Sequence, residues 1–207
     1  MKKFNVLALA FTAIFFVAGH TITSAQPEAA SKAMQWQVDP AHSTISFEIR
    51  HFFTPVLGRF HNYSSQINFN PNNLDENRID ITIDVNSLNT DNQKRDGHLQ
   101  SADFFNAEKY PEITFKSDKI IQKGENKFVA HGTLKIKGVP KEVELPFTLL
   151  GMQDHPQKPN TKIAGIKIDH TINRNNYNVG TGKLRRNISH WGDVDISIAL
   201  EMQHTAK

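Results

Sequence analysis

The chain has 207 residues, no cysteine, and 24 basic against 21 acidic side chains, a formal charge of +3. Without cysteine, disulfides, thiolate metal sites, iron–sulfur clusters and thiol nucleophiles are excluded, and so mild a charge gives no argument for nucleic acid or an anionic surface as partner. Such a chain is held together by burial alone, and it is long enough for one domain with a sizeable core.

It opens Met1-Lys2-Lys3, continues through an apolar run from Phe4 to Gly19, and reaches Thr23-Ser24-Ala25. A basic start, an apolar middle and small residues before Gln26 predict a cleavable export signal over residues 1–25. A membrane anchor is the alternative, but the apolar run is short against the ~20 residues that span a bilayer. Cleavage leaves 182 residues (207 − 25) with a charge of +1, since Lys2 and Lys3 depart (3 − 2). Residues 26–33 (QPEAASKA) are small and polar, a loose lead. No later apolar run is long enough for a transmembrane helix.

From Met34 onward the pattern is period-two alternation, the mark of strands with one buried face. Ile45, Phe47, Ile49 and His51 share one side, opposite Thr44, Ser46, Glu48 and Arg50. A turn is predicted at Pro55–Gly58, followed by Phe60, Tyr63, Ile67 and Phe69 with a slip of phase that suits a bulge. Ile79, Ile81, Ile83 and Val85 alternate cleanly. Alternation stops between Thr90 and Ser101, where a short helix is expected, opened by a Thr90–Gln93 capping box. Arg95, His98 and Leu99 share a face of it, and Phe104 and Phe105 follow. Strands resume with Ile113 and Phe115, then Phe128, Ala130, Gly132, Leu134 and Ile136. After a Lys137-Gly138 turn come Val143, Leu145, Phe147 and Leu149. Ala164, Ile166, Ile168, His170 and Ile172 follow, and Val194, Ile196, Ile198 and Leu200 close the chain. About eight antiparallel strands result, and alternation alone does not choose between barrel and sandwich.

Reactive chemistry is poorly represented. Ten histidines occur, yet none has the HxH or HExxH spacing of a metal site, so no metal ligands are assigned. No catalytic residues are assigned either: Ser43 beside His42 points to opposite strand faces, and Asp96 and His98 diverge on the helix. Arg174 opens a turn-rich stretch, where it could meet an anionic group or pair with an acid such as Asp39 or Asp96. Of fourteen phenylalanines, Phe4, Phe11, Phe15 and Phe16 leave with the signal, and ten remain (14 − 4) to fill a core or line an apolar tube.

Several stretches resemble one family in the order it carries them. These are Trp36-Gln37-Val38-Asp39-Pro40-Ala41-His42-Ser43 with Phe47 and His51, then Gly58-Arg59-Phe60. Arg95-Asp96-Gly97-His98-Leu99 follows, with Asp103-Phe104-Phe105 and Tyr110-Pro111. Gly132 to Val139 and Asn173-Arg174 complete the series. The chain resembles the YceI-like family of periplasmic lipid-binding proteins from Met34 to Met202. Pro140 and Tyr177-Asn178 depart from the family pattern, at a strand entrance and a turn.

The resemblance implies an all-β fold, an extended eight-stranded antiparallel lipocalin-like β-barrel with one short helix near Thr90–Ser101, over residues 34–207. It implies a hollow interior for an isoprenoid, quinone or fatty-acid-type lipid, with no other cofactor. The wall would be made by Ile45, Phe47, Ile49, His51 and Phe60, then Ile81 and Ile83. Leu99, Phe104, Phe105 and Phe115 would continue it, followed by Leu134, Ile136, Leu145 and Phe147. Ile166, Ile168, Ile196 and Ile198 would complete it. Arg59, His98 and Arg174 are the head-group candidates. The expected role is a periplasmic carrier without catalysis whose partner is a long-chain amphiphilic lipid, with no nucleic acid; a homodimer is left open. A lipid-modifying enzyme and a stress-related structural domain are the alternatives.

Overall fold

The computed structural model describes residues 34–182 and 192–206. The expected export signal, the lead to residue 33, and His190 lie outside the described residues. Among the described residues ten strands occur: β1 (Gln35–His51), β2 (Thr54–Phe60), β3 (Tyr63–Asn68), β4 (Arg78–Asp84), β5 (Leu88–Asn89), β6 (Glu112–Gly124), β7 (Lys127–Ile136), β8 (Val139–Asp154), β9 (Thr161–Asn173) and β10 (Asp193–Thr205). The one α-helix among these residues, α1 (Gln93–Gln100), lies between β5 and β6.

The ten strands make a closed barrel of eight staves. β2 and β3 share one edge of β1, β2 against Ile45–His51 and β3 against Gln35 and Trp36. β5 extends the course of β4 and pairs Leu88 and Asn89 with Phe60 and Arg59. β10 pairs back onto β1 from Gln37↔Gln203 to Ile49↔Val194, so the sheet meets itself. Closure buries one face of every stave and removes the exposed edges that an open sheet would offer.

Local chemistry differs from the sequence-based expectation in three places. Pro55–Gly58 is strand, and the reversal is made by Phe52 and Phe53 between the paired His51 and Thr54. Pro55 is tolerated because, among the described pairings, β2 has no strand on its far side until Arg59. The slip after Phe60 is a break at His61 and Asn62, while the described register shifts fall in β1, β6 and β8. The helix is capped by Asn92, whose Oδ1 accepts from Arg95 N at 3.0 Å, and not by Thr90. Asp91 takes a left-handed turn (φ 60°), and Thr90 Oγ1 is drawn to Asp96 Oδ1 at 2.5 Å.

One end of the barrel is plugged. Trp36, Phe69, Phe128 and Met202 are each at most 2% exposed there. Phe69, Phe128 and Phe147 meet with ring centroids 5.2 to 5.6 Å apart, the offset and edge contacts that aromatic quadrupoles favour. Trp36 Nε1 donates to Phe69 O at 2.8 Å. Asn70 N donates to Asn77 Oδ1, and Asn77 Nδ2 returns to Asn70 O, both at 3.0 Å. The loop across this end therefore buries its polar groups in pairs.

Candidate functional site

Above that plug the barrel is hollow. A cavity of about 620 Å³ opens at the end where α1, the β1–β2 turn and the β7–β8 turn gather, within the ~300–1,000 Å³ usual for small-molecule sites. Its wall is built from the inward positions of the staves, because successive side chains on a strand alternate between lumen and solvent. All the expected wall residues line it except Ile166. Ile166 has the right face but the wrong depth: it lies opposite Leu149 and Leu200, 1% exposed, down among the plug residues. Phe147 both lines the cavity and belongs to the ring cluster, so it forms part of the floor.

Aromatic placement on the upper wall depends on one glycine. Gly58 lies opposite Phe47 across the β1–β2 pair, and a Cβ there would sit 2.3 Å from Phe47 Cζ. Bare backbone at 58 lets the Phe47 ring lie across the wall, where it meets Phe60 with centroids 5.5 Å apart.

The mouth carries the polar groups. Arg50, Asn92, Lys94, Arg95, His98 and Arg174 line it, and no aspartate or glutamate does among the described lining residues. Of the expected head-group residues, His98 and Arg174 are brought to the mouth and Arg59 is not. Arg59 is exposed and, by the alternation that sends its neighbour Phe60 inward, faces away from the lumen. Arg50 and Lys94 were not anticipated, and both are exposed. Arg50 joins the lining because the β1–β2 hairpin overhangs the mouth, where the inside–outside distinction lapses.

Two of these cations are already engaged. Arg95 Nε donates to Thr90 Oγ1 at 2.7 Å and its Nη2 to Thr90 O at 2.6 Å, while Asp96 receives Thr90 N at 2.9 Å. This ring of bonds fixes the first turn of α1 over the opening. Arg174, 6% exposed, donates from Nη1 to Val179 O at 2.6 Å and Gly180 O at 3.0 Å. Gly180 (φ 65°) is required, since a Cβ there would stand 2.3 Å from that nitrogen. Lys137 Nζ reaches Ala102 O and Asn178 O at 3.1 and 3.0 Å, tying the segment after α1 to the segment after β9. Burial pushes the Lys137 ammonium below its ordinary range. His98 Nε2 stands 3.5 Å from the Asp103 carboxylate, and both are exposed.

A second polar group lies outside the cavity lining. His42 Nδ1 donates to Asp39 Oδ2 at 3.0 Å and stands 3.8 Å from Glu201 Oε1. It spans the register shift between Asp39 and Thr44, where Ser43 Oγ accepts from Glu201 N at 2.9 Å. The hydrogen bond to Asp39 raises the His42 pKa, and the same bond lowers that of Asp39.

Residues 36–202 match the YceI-like domain family. The chain is 30% identical over 184 residues to Protein YceI of Escherichia coli, covering 87% of this chain and 89% of that one. Burkholderia cenocepacia BcnA superposes with a TM-score of 0.68 at 29% identity, over 82% of this chain and 100% of that chain. A polyisoprenoid binding domain from Saccharophagus degradans, implicated in plant cell wall breakdown, shares the fold at a TM-score of 0.59 and 16% identity, over 83% and 99% of the two chains.

Proposed function

The chain belongs to the YceI-like domain family, and from that membership together with the hollow barrel we propose that it is an exported carrier for a long-chain amphiphilic lipid, with no reaction of its own. The observation that carries this reading is an apolar cavity closed at one end and ringed by polar groups at the other. A hydrocarbon tail entering it leaves water at a gain of about 25 cal/mol per Å² and asks for no polar partner. The ring cluster at Phe147 limits its length. The head group stays at the mouth beside Arg50, Lys94 and His98. With cationic groups and no carboxylate among the described lining residues, that rim suits an anionic head such as a phosphate or carboxylate. The polyisoprenoid-binding neighbour supports an isoprenoid tail by analogy of fold. The absence of catalysis rests on how the mouth residues are used: Thr90, Arg95 and Asp96 bind one another.

Native mass spectrometry of protein purified without detergent tests the proposal. A bound species of several hundred daltons, released on denaturation, is expected. A protein that emerges empty and takes up neither prenyl nor acyl compounds refutes it.

A further inference from the structure

We propose that the tip of the β1–β2 hairpin is a membrane-docking element, which seats the cavity mouth on a bilayer containing anionic phospholipid. The inference rests on the carrier reading and adds the surface from which cargo is exchanged. Its starting point is geometric. The last described partner of β1 in β10 is at Ile49↔Val194, and β2 has no described strand beyond it before Arg59. Arg50 and His51, paired with Pro55 and Thr54, therefore carry the hairpin two residues, roughly 7 Å, plus the turn beyond its last described partner in β10. Interfacial elements enter the headgroup boundary by about 5–10 Å.

The composition of that projection is the second observation. Phe53 is 94% exposed and Phe52 56%, while Leu57, 64% exposed, lies farther down the same hairpin opposite Glu48. Leu150 is the remaining exposed large hydrophobic among the described residues, so three of those four side chains belong to this hairpin. Two-residue reversals favour Asn-Gly or a glycine, because positive φ is needed. Phe52 holds φ 56° instead, an uncommon conformation for a bulky residue. A turn built from the residues least suited to turning points to a use for the rings. Single exposed apolar residues need no explanation, whereas a cluster of this kind marks an interaction site.

Position and charge identify the occupant. Ile49 and Val56 of the same hairpin line the cavity, and His51, also in the lining, meets the Phe52 ring edge-on at 4.7 Å, so side chains lead without a break from the tip to the lumen. Arg50 on the hairpin and Lys94 across the mouth on α1 are exposed cations at the rim. The charge of the whole chain offers no general attraction to anionic surfaces, but the described mouth lining carries cations and no carboxylate. A bilayer meets all these features: it accepts the rings, neutralises the rim, and lets a tail pass into the barrel without entering water.

The test is co-sedimentation of the purified protein with large vesicles of phosphatidylethanolamine and phosphatidylglycerol, alongside an F52S/F53S variant. The wild type is expected to sediment with the vesicles, and the variant to partition at least about tenfold less while melting at the same temperature and keeping its bound amphiphile. Phe53→Ser alone, which alters only the most exposed ring, is expected to show part of the loss and covers the case of an early-melting double variant. The proposal is overturned if the wild type stays in solution, or if either variant sediments as the wild type does. It is equally overturned if the tip proves to join two copies, seen as a dimer on size exclusion that the variant dissolves without any vesicle binding. Failure of the carrier reading appears separately, as an empty protein by native mass spectrometry whatever the vesicles show.

Discussion

Replacing Ala130 with phenylalanine separates a hollow barrel from a filled one. Ala130 lines the cavity on β7, two residues from Phe128 and directly opposite Leu145. A ring at 130 raises the floor by about one inward position, roughly 7 Å along the strand. In a packed core the added atoms force strain and lower stability by about 1–3 kcal/mol. In an empty lumen the ring gains about 2 kcal/mol from burial, less roughly 1 kcal/mol of lost side-chain freedom, so the delipidated protein becomes about 1 kcal/mol more stable. Binding moves the other way. If the ring takes about 100 Å² of wall from the tail, at ~25 cal/mol per Å² the loss is about 2.5 kcal/mol, or roughly sixtyfold in affinity. Urea unfolding of delipidated protein and titration with prenyl compounds of graded length measure the two effects. A variant destabilised by more than about 2 kcal/mol, with tail affinity untouched, refutes the reasoning.

Other outcomes follow from the mouth and the outer wall. Arg174→Met leaves the Val179 and Gly180 carbonyls without their charged donor and is expected to cost about 2–3 kcal/mol, read as a lower urea midpoint at unchanged slope. Asn92→Ala removes the cap of α1 at a cost of about 1 kcal/mol; amide exchange should quicken in α1 while the staves stay protected. His42 should titrate above its ordinary 6.5 and Asp39 below 3.8. The histidine's contribution to stability is full below 6.5 and fades as pH rises through its folded value, while the aspartate's is present above 3.8 and fades as pH falls through its folded value. Their joint effect is therefore greatest between those limits, and Asp39→Asn should move the His42 midpoint down toward its ordinary value in an NMR titration, with Glu201 left as the neighbouring carboxylate.

Period-two alternation carried most of the wall into view, because a stave with one wet and one dry face can satisfy both only in one orientation. Ile45, Phe47 and Ile49 fall in the lumen for that reason. Depth is a different matter: Ile166 shares the face of Ile168, and only the register against Leu149 shows that it belongs to the plug. Arg59 could have been rejected from the sequence, since Phe60 beside it points inward. Thr90 with Gln93 imitates a capping box, yet Asp96 competes for the hydroxyl, and Asn92 takes the cap. Pro55 and Gly58 suggest a turn by composition; two phenylalanines where a turn usually wants glycine hid the actual reversal. Arg50 and Lys94 had no signal, because they reach the mouth only through an overhang and a helix placed by long-range contacts.

The pairing of β10 with β1 joins the two extremities of the barrel. His204 Nδ1 donates to Gln35 O at 2.8 Å, so the described chain finishes almost where it starts. Until the final strand arrives, β1 has one side unsatisfied, and every preceding hairpin waits on a contact spanning nearly the full sequence. Such remote pairings slow folding. They also bring the two ends of the described barrel together: a short linker from residue 206 to residue 34, with a new cut in the exposed loop near His155, should yield a permuted barrel that folds and encloses the same lumen.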